Sequence, residues 1–276
     1  MNREGLRKRA SSLLNRYPIL PQEGTLLLLY LYNTLNVRLA SLHDQAYSAY
    51  FSYLPPAGLR DRVSGTADAH EFMLVGRKIA DDLTNILGRL NRSWPDFEKV
   101  LDFGCGCCRV MTHLRQWKNK LYGTDIDKKA ITWCGRSIDF ASFSVNKPAP
   151  PLEFPSEFFD LIYSISVFTH LDERYQFDWL NELRRVTRPH ALLLLSIHGN
   201  YAARINKLNP CEKQKLKQEG FLYLTHYGPG PFPKFYGSTY HTKEYIYKRW
   251  SQYFRILDYV EQGINNHQDL VVLERC

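Results

Sequence analysis

Val100-Leu101-Asp102-Phe103-Gly104-Cys105-Gly106-Cys107-Cys108-Arg109 is the stretch that decides the fold, and Leu121-Tyr122-Gly123-Thr124-Asp125 follows it. The first stretch is an apolar strand that enters a glycine turn, and the turn opens a predicted helix. The second is a short strand that ends in an acid. This order of elements is typical of a nucleotide-binding βαβ unit, which has a strand, a glycine turn, a helix and a second strand that ends in an acid.

Asp102 indicates what this unit binds. A carboxylate two residues before the first glycine lies at the carboxyl end of the strand and faces the ligand. It repels a pyrophosphate there and attracts an ammonium group. The dinucleotide fingerprint also requires a glycine where this chain has Arg109. The sequence therefore favours a nucleoside ligand with an ammonium group over a dinucleotide.

Asp-x-Gly-x-Gly followed by Gly-x-Asp resembles motifs I and II of the class I S-adenosylmethionine (SAM) methyltransferases, in particular the small-molecule enzymes of types 11, 12 and 25. Residues 158–171 resemble the fourth strand of that family with its following loop, and residues 182–196 resemble its next helix and fifth strand. The resemblance extends from about residue 98 to residue 274, in the order that the family requires. One departure is Cys108, which stands where the family usually has a third glycine.

The alternation of predicted elements agrees with the fold that the resemblance implies. Apolar strands and amphipathic helices alternate from residue 99 onward, which favours a parallel sheet covered on both faces. Strands are predicted near 99–103, 120–125, 140–145, 159–166 and 191–197, and helices near 109–117, 127–138 and 174–187. The short connection between the last two predicted strands, 254–260 and 269–273, favours an antiparallel pair. We expect an α/β, Rossmann-like class I methyltransferase fold with a mostly parallel seven-stranded sheet, helices on both faces and an antiparallel last strand.

Two further parts of the chain are predicted from their composition, one before the alternating strands and helices and one between the fifth strand and the last two. Residues 1–98 form a predicted helical N-terminal extension, with amphipathic stretches at 3–16, 25–51 and 68–91, and residues 99–276 form the SAM-binding domain. The polar segment 59–66 is predicted to be a flexible flap over the cofactor. Residues 199–249 exceed a plain connection and are rich in aromatic residues and glycine, so they are predicted to form the wall of the substrate pocket or an interaction surface.

The resemblance implies S-adenosyl-L-methionine as the cofactor and assigns residues to it. The glycine turn approaches the methionine part, Asp102 faces its ammonium and Asp125 accepts both ribose hydroxyls. Asn146 lies where the family contacts adenine. The predicted cofactor-binding residues are Asp102, Gly104, Cys105, Gly106, Asp125, Ile126, Asn146 and Ser164. No metal ligand set is predicted, since Cys105 and Cys108 lack a second ligand pair at suitable spacing.

A catalytic base, where the acceptor needs one, belongs near the end of the fourth or fifth strand. His170 is the first candidate, because many small-molecule members of the family carry a histidine there, and His198 is the second. A structural role as a cap or a core group stays open for both. Cys105 and Cys108 also leave a thioredoxin-like redox pair as an alternative interpretation of the turn.

Net charge, apolar runs and cysteine positions limit the possible functions further. The 276 residues carry a formal net charge of +8, which allows attraction to acidic substrates, nucleic acid or an anionic surface. Much of the excess lies in two local runs that are more typical of solvated helix faces, and nucleic acid is not the expected partner. The apolar run 25–32 is too short to span a bilayer, and four of the six cysteines lie in predicted core elements, so a cytoplasmic protein is expected. Ser164-Ile165-Ser166-Val167 replaces the Asn-Pro-Pro-Tyr of adenine-N6 enzymes. We therefore expect methyl transfer to O or N of a small-molecule or glycan acceptor, with an RNA methyltransferase or a catalytically silent SAM-fold binding protein as alternatives.

Overall fold

A computed structural model describes residues 34–42, 44, 53–117, 120–225 and 236–276. The chain divides into two compact units, Met1–Ala69 and His70–Cys276. The predicted helix 3–16 and the apolar run 25–32 lie outside the described residues. Of the predicted helical stretch 25–51, residues 34–42 and 44 are described and are helical. The extent of the N-terminal extension as a domain stays a prediction.

In the first unit, the segment predicted to be a flexible loop is helical over residues 57–64, so that part of the prediction is wrong, and its role as a flap over the cofactor stays a prediction. Helix α1 is Ala57–Ser64, and Arg60 on it is fully buried. The Arg60 guanidinium donates to the Asp44 carboxylate at 2.7 Å and to the carbonyl of Ala67 at 3.0 Å. A buried arginine that pairs with a carboxylate and donates to a backbone carbonyl holds its segment in a fixed position. The polar composition that suggested flexibility therefore includes the residue that holds this segment in place.

The second unit contains the predicted α/β sheet. Its strands are β1 Val100–Phe103, β2 Leu121–Asp125, β3 Ala141–Val145, β4 Phe159–Ser164, β5 Thr187–Ile197, β6 Phe221–Thr225, β7 Gly237–His241, β8 Arg255–Ile264 and β9 Gln268–Glu274. The helices that accompany them are α2 Ala69–Arg89, α3 Lys128–Ser137, α4 Glu173–Val186, α5 Asn200–Ile205, α6 Pro210–Glu219 and α7 Lys243–Arg249.

Seven strands form one sheet in the order β3-β2-β1-β4-β5-β9-β8. The five strands β1 to β5 pair in parallel, and β9 lies antiparallel between β5 and β8. The predicted Rossmann-like methyltransferase fold, with its antiparallel last strand, is confirmed. Because the carboxyl ends of parallel strands meet at one edge, the residues that follow β1, β2, β4 and β5 come together there.

The core lies against β1, β4 and β5, whose side chains are almost all buried. Trp179, Leu180 and Leu183 of α4 pack into the same cluster, and the rings of Phe103 and Trp179 lie 4.7 Å apart. Helix α4 begins at an N-cap, Asp172, whose side chain accepts a hydrogen bond from the backbone of Tyr175 at 2.8 Å. This packing fixes the central strands and therefore the edge at which they end.

One predicted helix, 109–117, takes a different form. Turns occupy the residues up to 110, and a 3₁₀ helix then covers Met111–Trp117. Cys108 has a φ of 63°, a left-handed conformation that an α-helix cannot contain. Cys108 therefore belongs to the turn and not to the helix that follows it.

Residues 199–249 form two short helices, a two-stranded antiparallel sheet of β6 and β7, and α7. Residues 226–235, between β6 and β7, lie outside the described residues. Within the described part of the chain, none of the helices has the length and apolar character needed to cross a membrane.

Candidate functional site

The glycine turn after β1 is held against the end of β2. The backbone N–H groups of Gly104 and Cys105 both donate to the carbonyl of Thr124, at 2.8 and 3.1 Å. Gly104 has a φ of 82°, and a Cβ at this position would lie 2.2 Å from the Cγ2 atom of Val167. Both the conformation and the close approach of the loop after β4 require glycine here. Gly106 has a φ of 53°.

Asp125 joins this turn to the next helix. One of its carboxylate oxygens accepts a hydrogen bond from the backbone N–H of Gly106 at 2.8 Å, and the other accepts from that of Asp127 at 2.7 Å. Asp127 is the N-cap of α3 and accepts from the backbone of Lys129 at 2.9 Å. The Asp125 carboxylate is therefore fixed at the end of β2, and each of its oxygens can accept a second hydrogen bond.

Beside Asp125, apolar side chains are exposed at the carboxyl ends of β2 and β3. Ile126 is 37% exposed and Val145 is 42% exposed. Asn146 follows Val145, and its side-chain oxygen accepts from the hydroxyl of Thr124 at 2.9 Å. Two exposed aliphatic side chains and a fixed amide form a surface that suits a planar heterocycle with polar edges.

Asp102 lies deeper than the turn. It is 3% exposed, and its carboxylate accepts a hydrogen bond from the Tyr163 hydroxyl at 2.9 Å. Burial raises the pKa of Asp102 to about 8, the hydrogen bond from Tyr163 opposes that rise, and the charge of Asp125 adds to it. Tyr163 was not predicted as a site residue. It stands directly opposite Asp102 in the pairing of β1 with β4.

Two of the predicted cofactor residues have buried side chains with partners inside the protein. The Ser164 hydroxyl donates to the carbonyl of Phe103 at 2.8 Å, which ties β4 to β1. The Cys105 thiol is buried and lies 3.7 Å from the carbonyl of Gly106. Their predicted contacts with the cofactor stay predictions, and the structure shows that both side chains brace the turn.

His170 and His198 lie together at the ends of β4 and β5. Their ring centroids are 6.3 Å apart. Nδ1 of His170 is 2.7 Å from the carbonyl of Gly237, and the ring stacks on Tyr236 at 3.9 Å. The ring of His198 stacks on Tyr240 at 5.3 Å. Two histidines from one sheet edge and two tyrosines from the segment 199–249 thus line one side of the site.

His267, in the turn between β8 and β9, is a third histidine at this place. Its ring centroid is 5.8 Å from that of His198. The antiparallel pairing of Ile197 with Asp269 brings this turn beside the end of β5. The sequence places His267 far from the motifs, and only the register of β9 on β5 could have shown that it joins them.

Residues 101–195 match the methyltransferase domain family. Residues 101–195 therefore form a methyltransferase domain, and the fold around them is that of SAM-dependent methyltransferases. The fold is similar to that of the 1,6-didemethyltoxoflavin-N1-methyltransferase of Burkholderia thailandensis, solved with 1,6-didemethyltoxoflavin and S-adenosylhomocysteine, at 11% identity and a TM-score of 0.51 over 72% of this chain and 78% of that one. It is also similar to the magnesium protoporphyrin IX methyltransferase of Synechocystis PCC 6803, solved with S-adenosylhomocysteine, at 17% identity and a TM-score of 0.50 over 75% and 86% of the two chains.

The methyltransferase family identifies S-adenosylmethionine as the cofactor, as the sequence predicted. The residues at the sheet edge fit it by their chemistry. Asp102 is a carboxylate that can face a cation, Asp125 is an acceptor for a diol, and Ile126 and Val145 are exposed apolar side chains beside Asn146. Among the described residues, no group of three or more His, Cys, Asp or Glu side chains is arranged to hold a metal ion.

Four buried thiols surround the turn of the methyltransferase: Cys105, Cys107, Cys108 and Cys134. The Cys108 sulfur lies 3.2 Å from that of Cys134 on α3. Burial raises the pKa of the Cys107 and Cys108 thiols. Protonated, buried thiols are poor nucleophiles, so the geometry favours packing over the redox pair of Cys105 and Cys108.

Cys108 occupies a conformation that favours glycine, and its substitutions test this. We expect Cys108→Gly to be more stable than Cys108→Ala by about 1 kcal/mol, because both lose the sulfur contact and only alanine keeps the left-handed strain. Chemical denaturation of the two variants measures the difference. Equal stability, or a more stable alanine variant, would show that the backbone at Cys108 is not strained.

Proposed function

We propose that this methyltransferase transfers a methyl group to O or N of a small-molecule or sugar-containing acceptor. The observation that carries the proposal is the group of histidines and tyrosines beside the glycine turn. His198 in it is 8% exposed and Tyr240 is 3% exposed. Aromatic rings with a few polar atoms are typical of the lining of a small-molecule site. The segment 199–249 supplies Tyr236 and Tyr240, which supports its proposed role as the substrate-side wall.

We assign the cofactor to the edge between β1 and β3. The turn with Gly104, Cys105 and Gly106 lies against the methionine part, with Asp102 facing its ammonium group. Asp125 and Ile126 hold the ribose, Asn146 lies at the adenine, and Ser164 supports the turn from β4. When bound, the cofactor supplies an electrophilic methyl carbon, and the protein contributes mainly position and orientation.

His170 is our proposed general base. A carbonyl oxygen accepts hydrogen bonds only, so the contact with Gly237 places a proton on Nδ1 of His170. In the neutral ring, Nε2 then carries the lone pair. That nitrogen can take the proton from an acceptor O–H or N–H group. His198 is the second candidate, and burial followed by the charges of His170 and His267 lowers its pKa to about 3.

The buried carboxyl of Asp102 gives cofactor binding a pH dependence. Below about pH 8 the free protein holds Asp102 mostly protonated, and an ammonium partner favours the ionised form. Binding therefore releases a proton, and the affinity for S-adenosylhomocysteine should rise by up to about tenfold per pH unit from pH 6 toward 8. Calorimetric titrations across this range measure it.

Asp102→Asn is the matched control, because its amide keeps the shape and loses the titration. Its affinity should be weaker and independent of pH over the same range. A pH-independent affinity in the unmodified protein would remove Asp102 from the ammonium site.

Tritium transfer from labelled SAM tests the proposed function. A small-molecule extract and a total RNA preparation serve as separate acceptor sources. Label in the small-molecule fraction supports the proposal. Label in RNA alone favours the RNA methyltransferase, for which the charge of +8 is the argument. Cofactor binding without transfer to either source favours the silent binding protein. We also propose a cytoplasmic location, supported by six cysteines that form no disulfide.

A further inference from the structure

We propose that His170, His198 and His267 form one binding surface for a planar organic acid, and that this surface takes up a proton from water when the acid's anion binds. The inference rests on the proposed function, since it names the chemical class of the acceptor. It adds His267 to the acceptor site as a positioning residue. The class is a small ring compound with a carboxylate or an equally acidic group.

The three imidazoles come from three separate elements and meet at His198. His170 follows β4, His198 ends β5, and His267 precedes β9. The ring planes of His198 and His170 are at 83° to each other, and those of His198 and His267 are at 73°. The Nδ1 atom of His198 is buried and makes no hydrogen bond of good geometry in the described part of the chain, although the backbone of Thr239 lies close enough to the ring to raise its pKa. A buried polar atom without a hydrogen bond of good geometry indicates an unfilled contact at this place.

Without a ligand, the surroundings of His198 and His267 favour their neutral rings. Burial lowers the pKa of His267, as it lowers that of His198, and each protonated ring would repel its neighbours. An anion placed among the rings reverses this balance, because an opposite charge raises the pKa of an imidazole. His198 or His267 therefore gains a positive charge when an anion arrives, and His170 keeps the neutral ring that a general base needs.

Asp269 is an acid in the described part of the chain that already faces this surface. Asp269 acts on His267 through its charge. Its oxygens accept hydrogen bonds from the Tyr259 hydroxyl at 2.7 Å and the Gln262 backbone at 2.8 Å. Burial raises the pKa of Asp269. Further titratable groups among the described residues act on these rings directly or on a residue that contacts them: Asp125, Tyr201, Tyr236, Tyr240, His241, Tyr259 and Glu261.

Aromatic rings limit the shape of the ligand. Tyr236 lies on His170 at an interplanar angle of 18°, and Tyr240 lies on His198 at 29°. Tyr201 approaches His267 edge-on at 6.4 Å. A flat ligand binds against such rings by offset stacking or by edge contacts. A planar acid uses both features of the surface, its ring against the tyrosines and its charge against the imidazoles.

Benzoate and benzamide are the test probes, because they share a ring and differ in charge. They are titrated calorimetrically into the full chain saturated with S-adenosylhomocysteine, at pH 7, in two buffers of different ionisation enthalpy. We expect benzoate to bind at least about tenfold more tightly than benzamide, with uptake of up to about one proton. Equal or weaker binding of benzoate, no binding of benzoate, or binding without proton uptake would each overturn the inference.

His267→Gln is the first variant, because its side chain is only half-buried, and it should remove most of the preference for benzoate. His190→Gln is the matched control, since His190 is exposed, contacts Glu274 at 3.9 Å and lies outside the surface. It should keep the preference. Saturation with S-adenosylhomocysteine shows whether the acidic acceptor alone is wrong or the proposed function as well. If that ligand binds and benzoate does not, the acidic acceptor alone is wrong; if it does not bind, the proposed function fails and this inference with it.

Discussion

Asp125→Ala should weaken binding of S-adenosylhomocysteine by about 1–3 kcal/mol, because the ribose hydroxyls lose their acceptor. The same substitution removes the acceptor of the Gly106 and Asp127 backbone N–H groups. The turn that should lie against the methionine part is then no longer tied to the end of β2. Isothermal titration calorimetry measures the loss of affinity, and circular dichroism confirms that the variant is folded.

Asp127→Ala is the matched control for this experiment. It removes the N-cap of α3 and should cost about 1 kcal/mol of stability. It leaves the Asp125 carboxylate and the backbone N–H of residue 127 in place, so the affinity should stay close to that of the unmodified protein. An unchanged dissociation constant in folded Asp125→Ala would exclude Asp125 from the cofactor site.

His170→Ala should lower turnover by about 10²-fold, the usual loss when a general base is removed. Affinity for S-adenosylhomocysteine should change little, because the cofactor is assigned to the edge between β1 and β3. The measurement is the rate of tritium transfer to an acceptor from the small-molecule extract, expressed per folded molecule, together with a calorimetric titration of the cofactor product.

A structural His170 would give a different result. The ring stacks on Tyr236 and bonds the carbonyl of Gly237, so its loss can lower the melting temperature. A lower melting temperature with unchanged turnover per folded molecule would contradict the assignment as a base. His190→Ala, at an exposed position, is the control for effects of histidine removal in general.

The fold could be predicted because its signals are local. The apolar strand before Gly104, the acid at the end of β2 and the short connection between β8 and β9 each specify their own structure. The helix predicted at 109–117 is a 3₁₀ helix over Met111–Trp117. It follows a turn in which Cys108 adopts a left-handed backbone, and nothing in the residue type shows this, since cysteine does not favour that conformation.

The partners of the site residues are less visible in the sequence, because they come from pairing across the sheet. Tyr163 faces Asp102 through the register of β1 and β4. His267 reaches His198 through the register of β5 and β9. A one-residue slip in either register would turn these side chains to the other face. The flexible loop predicted at 59–66 was wrong because polarity was taken as flexibility, whereas Arg60 is buried and bonded to Asp44.

A calorimetric titration with S-adenosylhomocysteine and with NAD, each added to the full chain, tests the central claim most directly. The claim is that Asp102, the glycine turn and Asp125 form a site for a nucleoside that carries an ammonium group. Asp102 and Arg109 stand where a pyrophosphate site would need neutral or small residues. We predict binding of S-adenosylhomocysteine and no detectable binding of NAD. Tighter binding of NAD than of S-adenosylhomocysteine would contradict the account.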